Sequence, residues 1–149
     1  MNNFFAIIFL LSSVKEPSHD SSDLAKFKTF VKSYFNAVGK GDTVFLRNHT
    51  IFPIKDSDFG GYISTGKNMP SISSKVYFSH LKIFYKPGEV SAALKDGDFM
   101  KELHSKNEYY LDLERPYKSG PAEYLETFRW FFVKKGNDFL FSTFKHEIN

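Results

Sequence analysis

The chain has 149 residues, which is enough for one sizeable hydrophobic core, and it contains no cysteine. The absence of cysteine excludes disulfides, thiolate nucleophiles, thiolate-ligated metals and a lipid-modified cysteine. The net charge is only +3, and arginine, the side chain best suited to phosphates and guanines, occurs three times among the 20 basic residues. We therefore expect no nucleic-acid partner.

Residues 1–14 have the features of a signal peptide. The apolar run 4–14 is too short for the roughly 20 residues that cross a bilayer, so we predict transient membrane contact and export to the periplasm or the medium. A buried N-terminal strand or helix is the alternative. The polar residues 15–22 are predicted to be a flexible joint. Residues 23–149 then form a single domain.

The first half of this domain is predicted to be mostly helical. Apolar residues at three-and-four spacing predict a helix over 24–38, with Gly39 providing its left-handed exit. Asp42 is expected to cap a second short helix that reaches about His49, with Val44 and Phe45 turned inward and Leu46 as a further candidate for the inner side.

The middle of the chain is predicted to combine short strands and short helices. Residues 51–64 are rich in β-formers but interrupted, which predicts an irregular strand pair. Ser73 or Ser74 is expected to cap a third helix that ends before Pro87. Further helical turns are predicted over 89–94 and 99–103.

The last third is predicted to contain three long strands. Residues 108–114, 124–134 and 139–145 are rich in aromatic and branched side chains. Residues 135–138, with sequence Lys-Gly-Asn-Asp, predict a hairpin loop, so the last two strands should be antiparallel neighbours.

This order of elements resembles the nuclear transport factor 2-like superfamily. The local sequence is also similar in the Val-Gly-Lys-Gly-Asp link at 38–42, the Phe-Pro-Ile-Lys segment at 52–55 and the aromatic hairpin 124–144. The resemblance covers about residues 23–146. It implies an α+β fold in which about three helices wrap a strongly curved antiparallel sheet into a cone. Because that superfamily includes isomerases, dehydratases and association domains, the resemblance leaves the function open.

Six residues of the strand region are candidates for a pocket. Alternation places Asp112 on the same face of its strand as Tyr110, where it is either solvated or a general base in an aromatic pocket. Glu126 and Arg129 each add a charge to a largely apolar face, which requires an ion pair or a ligand. His146 lies near the end of the last strand and suits proton transfer. The six candidates are Tyr110, Asp112, Glu126, Arg129, Trp130 and His146.

The motifs assign no catalytic residue. The five histidines lack the spacing of zinc ligands, and there is no phosphate-binding glycine loop or nucleophile elbow, so we expect no metal and no cofactor. The leading interpretation is an exported, non-enzymatic domain whose aromatic-lined pocket binds a small apolar ligand or a protein. The alternatives are a cofactor-independent isomerase, dehydratase or hydrolase that uses a pocket carboxylate or histidine, and a dimeric assembly module.

Overall fold

A computed structural model describes residues 21–55, 57–58, 69, 71–101 and 107–149. The predicted leader and most of the predicted joint lie outside the described residues, as do parts of the segments predicted over 51–64 and 99–103.

Helix α1 spans Ser21–Lys40, so the last two residues of the predicted joint are helical. Phe27, Val31 and Tyr34 of its apolar stripe are fully buried. The helix continues through Gly39, and the left-handed residue is Gly41, with φ of 69°. The prediction for Gly39 was therefore wrong by two residues. Gly41 closes the last turn by donating its amide to Val38 at 3.1 Å.

Helix α2, Thr43–Asn48, follows at once, and the predicted cap is confirmed: Asp42 accepts a hydrogen bond from the Phe45 amide at 3.0 Å. Leu46 is the side chain of this helix that reaches the core. Val44 is 71% exposed, in contrast to the prediction. Side chains at positions i and i+2 of a helix point roughly 200° apart. A single turn that buries Leu46 must therefore expose Val44.

The predicted third helix is two short helices, α3 over Ser74–Ser79 and α4 over Leu81–Phe84. Ser73 caps the first by accepting from the Val76 amide. The helices separate at His80, where the Ser79 hydroxyl and the His80 imidazole both bond to the Val76 carbonyl in place of the regular ladder.

Helix α5 spans Pro87–Asp96 and is longer than the turn predicted over 89–94. Proline suits the first position of a helix, where no amide hydrogen is needed. Pro87 therefore starts this helix as well as ending the segment before it.

The main sheet has four antiparallel strands in the order β3-β4-β5-β6, namely Asp98–Lys101, Glu108–Ser119, Ala122–Lys135 and Asp138–Ile148. The three predicted long strands and their antiparallel hairpin are confirmed, and Gly136 adopts a φ of 64° in the turn. The helical turn predicted over 99–103 was wrong for its described part. Asp98 and Phe99 pair with Asp112 and Leu111, a non-local contact that overrides local preference.

A second, two-stranded sheet lies beside the last strand of the main sheet. It consists of β1, Ile54–Lys55, paired antiparallel with β2, Ser71–Ile72. The Thr143 hydroxyl donates to the Lys55 carbonyl at 2.9 Å, which ties the small sheet to β6. A bulge between Phe131 and Phe132 interrupts the β5–β6 ladder and contributes to the curvature of the main sheet.

The helices cover one face of the main sheet, here called the inner face, and aromatic rings fill the space between. Phe27 of α1 lies 5.3 Å from Phe132, and Phe35 lies 5.6 Å from Trp130, measured between ring centroids. Contacts of this kind connect most of the buried side chains. The α+β fold with a curved antiparallel sheet, predicted from the sequence, is confirmed.

A chain of four hydroxyl groups crosses this core. The Tyr34 hydroxyl lies 2.7 Å from that of Thr50 and 2.8 Å from that of Tyr77, which in turn lies 3.0 Å from that of Tyr85. Burial raises the pKa of all three tyrosines well above its usual value. The groups are therefore neutral, and mutual hydrogen bonding compensates for their burial.

Replacing Tyr77 by phenylalanine removes the hydroxyl that joins Tyr34 to Tyr85. We expect Tyr77→Phe to lower the free energy of unfolding by about 1–3 kcal/mol, measured by urea denaturation. Tyr124→Phe is the matched control because Tyr124 is exposed, and it should change stability by less than about 0.5 kcal/mol. Equal effects of the two substitutions would contradict a stabilising role for the hydroxyl chain.

Candidate functional site

The inner face of β5 changes gradually from core to solvent. Phe132, Trp130 and Phe128 are buried, Glu126 is half-buried, and Tyr124 is exposed. Residues two apart on a strand share a face, so these five side chains form one row. The sheet thus extends beyond the core and leaves part of its inner face open.

Charged side chains from three strands meet where this row leaves the core. Arg115 of β4 lies directly opposite Glu126, and its Nε is 3.3 Å from Glu126 Oε2. Nε2 of His146, on β6, lies 2.9 Å from Glu126 Oε1. Glu89 of α5 adds a second carboxylate, 3.2 Å from Arg115 Nη2. Glu89, Arg115, Glu126 and His146 are here called the polar cluster.

Phe128 forms the floor of the polar cluster. The His146 ring stacks on it with centroids 4.5 Å apart, and the Arg115 guanidinium carbon lies 4.4 Å from the ring centre. Both contacts hold flat cationic or aromatic groups against an apolar surface. The polar cluster is therefore seated on the edge of the aromatic core.

The charges of the polar cluster have partners on neighbouring elements. Lys86 lies 3.5 Å from Glu89, and the Asp58 carboxylate accepts the backbone amide of His146 at 2.7 Å. Each carboxylate of the cluster contacts at least one cation or imidazole, as half-buried charges require. Chemically, such a group can donate hydrogen bonds from the guanidinium or exchange a proton between imidazole and carboxylate.

Beyond the polar cluster, the inner face carries an apolar rim made of Tyr117, Tyr124 and Ile148. Their exposed fractions are 39, 41 and 51%, and the two tyrosine rings lie 6.4 Å apart. Register places all three beside the cluster: Tyr117 pairs with Tyr124, and Ile148 pairs with Glu126. The polar cluster and the apolar rim together are called the sheet tip.

The opposite, outer face of the sheet has its own charged pair. Arg129 donates to both carboxylate oxygens of Asp112, with Nε at 2.7 Å and Nη2 at 2.5 Å, and stacks on Tyr110. Asp112 is only 5% exposed, and its hydrogen bonds raise the pKa of the Arg129 guanidinium. A cleft of about 30 Å³ beside Arg129 has room for about one water molecule.

The structure divides the six candidate residues between the two faces. Glu126, Trp130 and His146 are on the inner face, whereas Tyr110, Asp112 and Arg129 are on the outer face. Asp112 therefore shares no site with Glu126 and His146. Trp130 is buried in the core. Glu126 and Arg129 both form ion pairs with a neighbouring strand, the alternative that the sequence left open for them.

Arg115, Glu89 and Tyr117 were missed by sequence reasoning. The alternation of Tyr109, Leu111 and Leu113 continues to Arg115 and Tyr117, but the strand was predicted to end before Pro116. Proline is tolerated there because β3 pairs with β4 only as far as Asp112, so this part of β4 has a free edge. Glu89 comes from a helix, and no local pattern could have indicated it.

The described rings of the interior pack on one another, so the aromatic residues form a core more than the lining of a deep pocket. An open groove of about 450 Å³ lies outside this core, between α1 and the β5–β6 turn. It is lined by Ala25, Lys26, Thr29, Phe30, Asn137, Asp138 and Phe139. Four of these residues, Lys26, Thr29, Asn137 and Asp138, are polar.

Within the described ranges, no group of three or more histidine or acidic side chains could hold a metal ion. Within the same ranges, none of the helices has the length and apolar character needed to cross a membrane.

No protein-family model and no curated protein matches the chain. Among solved structures, a designed nuclear transport factor 2-like protein is similar to 86% of this chain and to 100% of its own length, with 17% identity and a TM-score of 0.45. The helices and the four-stranded antiparallel sheet of the described residues define an α+β fold.

The outer-face pair predicts a stability effect. In Arg129→Gln, the buried Asp112 carboxylate would lose its guanidinium, so we expect the free energy of unfolding to fall by about 1–3 kcal/mol in urea denaturation. The loss is less than for a fully buried pair because a third of Arg129 is exposed. Lys118→Gln, which breaks the exposed pair with Glu123, should cost less than about 0.5 kcal/mol. A negligible change in the free energy of unfolding of Arg129→Gln would contradict a stabilising role for the Asp112–Arg129 ion pair.

Proposed function

We propose that the protein is an exported, non-enzymatic binding domain that holds an amphipathic small molecule at the sheet tip. The observation that carries this proposal is that a half-buried polar cluster and an exposed apolar rim lie side by side on one sheet face. Ligand sites commonly combine apolar surface with a few convergent polar groups. The sheet tip has both.

The two parts of the sheet tip would have separate roles. The rim offers aromatic and branched surface, and covering it would gain roughly 25 cal/mol for each Å² removed from water. The polar cluster would fix the orientation of the ligand by hydrogen bonds to Arg115, Glu126 or His146. Because Phe128 anchors the cluster to the core, its side chains are held in place before the ligand binds.

Binding can be followed through the single tryptophan of the chain, Trp130, whose ring stacks beside Phe128. We expect anilinonaphthalene sulfonate, an amphipathic fluorescent probe, to bind the folded protein and quench Trp130 emission. Tyr124→Ser should weaken this binding about tenfold, because it removes an aromatic ring from the rim. Ile83→Ser is the matched control, since Ile83 is similarly exposed but lies on α4.

Two results would contradict the binding site. One is equal affinity of the Tyr124→Ser and Ile83→Ser variants for the probe. The other is binding only under conditions in which circular dichroism shows loss of native packing, because partly folded proteins also bind this probe.

A cofactor-independent isomerase, dehydratase or hydrolase is the second candidate. The 2.9 Å contact between His146 and Glu126 favours it, since a carboxylate-oriented imidazole can transfer protons. The test is the fate of compounds extracted from the purified protein, identified by mass spectrometry and returned to it in deuterium oxide. An unchanged compound supports binding, whereas deuterium uptake or a new product supports catalysis.

Assembly is the third candidate, either as a homodimer or with another protein, through the outer face of the sheet. Tyr110 and Phe131 are half-buried there, with ring centroids 6.0 Å apart. Light scattering at several concentrations separates the outcomes, because a protein that remains monomeric throughout does not form a homodimer by this face.

Export is proposed from the apolar run 4–14. When the full chain is made in a bacterium, intact mass measurement should find, outside the cytoplasm, a product shortened by about 14 residues. Leu10→Arg would place a charge in the apolar run and should leave the chain unprocessed in the cytoplasm. Ser18→Arg, beyond the run, is the control and should be processed normally. A full-length, cytoplasmic wild-type chain would refute export.

A further inference from the structure

We infer that the ligand of the sheet tip carries a carboxylate and that Arg115 is the residue that binds it. The inference rests on the proposed function of the sheet tip and deepens it by naming the ligand class. It comes from a comparison of two arginines on adjacent strands of the same sheet, Arg115 on β4 and Arg129 on β5.

Arg129 donates its hydrogen bonds to a carboxylate of the same chain, that of Asp112. Its Nε and Nη2 form the two parallel hydrogen bonds that a carboxylate accepts from a guanidinium. This pair is complete without any further group. Arg129 is thus a structural arginine, and it shows how a guanidinium of this sheet binds a carboxylate through two aligned hydrogen bonds.

Arg115 is engaged differently. Its contacts with Glu126 and Glu89, at 3.3 and 3.2 Å, are ion pairs that lack hydrogen-bond alignment, and its Nε is buried without a hydrogen-bond partner among the described residues. A guanidinium carries five N–H donors. Stacking on Phe128 satisfies none of them. Arg115 therefore holds an oriented charge whose N–H donors lack aligned acceptors among the described residues.

Each of the two carboxylates beside Arg115 has a second partner besides Arg115. Glu126 contacts His146 through one oxygen and Arg115 through the other, and Glu89 contacts Lys86 as well as Arg115. About a third of the Arg115 side chain is exposed, so its accessible side can receive a ligand. The planar fork of a guanidinium matches a carboxylate better than it matches a hydroxyl or an amine.

The position of Arg115 also determines where the rest of the ligand lies. Tyr117 is two residues further along the same strand face, about 7 Å away, and Tyr124 is the residue paired with it. A carboxylate bound to Arg115 therefore places an attached hydrocarbon chain over the apolar rim. The ligand class that follows is an aliphatic or aromatic monocarboxylate.

The test uses octanoate, octanol and octylammonium, which share a chain and differ in the head group. Affinities for the wild-type protein are measured by calorimetry and by nuclear magnetic resonance shifts of tip residues. We expect octanoate to bind at least about tenfold more tightly than octanol and octylammonium. This is the gain in affinity expected from one charge-assisted hydrogen-bonded pair. Arg115→Gln should remove this preference and leave octanol binding within about twofold of the wild type.

The control variants separate charge, geometry and folding. Arg115→Lys keeps the charge without the fork and should retain only part of the preference for octanoate. The double variant Arg115→Gln/Glu126→Gln keeps the net charge constant and serves if the single variant unfolds, again with the preference lost. Arg47→Gln removes another arginine that stacks on a phenylalanine, Phe78 on α3. It should leave the affinities for the three octyl compounds unchanged.

The outcomes distinguish the inference from the proposed function on which it rests. If octanol or octylammonium binds the sheet tip as tightly as octanoate, or if Arg115→Gln keeps the preference, the carboxylate inference is wrong and the binding site stands. If no octyl compound shifts the resonances of Tyr117, Tyr124 or Ile148, the binding site itself is wrong.

Discussion

The long antiparallel pairing of β4 with β5 is the constraint on which the rest of the structure depends. It runs from Glu108 opposite Val133 to Ser119 opposite Ala122. Because side chains alternate between faces, this one register sets which residues enter the core and which remain outside. A shift by one residue would turn Trp130 and Phe128 to the outer face and bring Arg129 beneath the helices, among the apolar side chains of the core.

The same register places two groups of charged side chains on opposite faces of the sheet. On the outer face, Asp112 lies directly opposite Arg129, and the pair is complete in itself. On the inner face, Arg115 lies opposite Glu126 at the point where the strands extend past the helices. The polar cluster is therefore only half covered by protein. This incomplete cover, more than any single side chain, makes the sheet tip the best candidate for a site.

The core and the candidate site are linked through Phe128. Its ring lies beside Trp130 in the aromatic interior and also supports the Arg115 guanidinium and the His146 imidazole. The densely packed rings behind it resist rearrangement, so the polar groups at its edge keep their positions. A ligand at the sheet tip would meet a preformed surface supported by the core.

The sequence by itself determined the elements whose signals are local: the apolar stripe of α1, the Asp42 cap, the alternation within the long strands and the turn at Gly136. Tertiary structure decided the rest. Residues 98–101 form a strand because they pair with β4. Glu89 contacts Arg115 from a helix that is distant in sequence. Periodicity shows that two faces exist, but only the packing of the helices decides which face is buried. The pairing registers of β4 and β6 with β5, which are also tertiary, put Asp112 and His146 on opposite faces of the sheet.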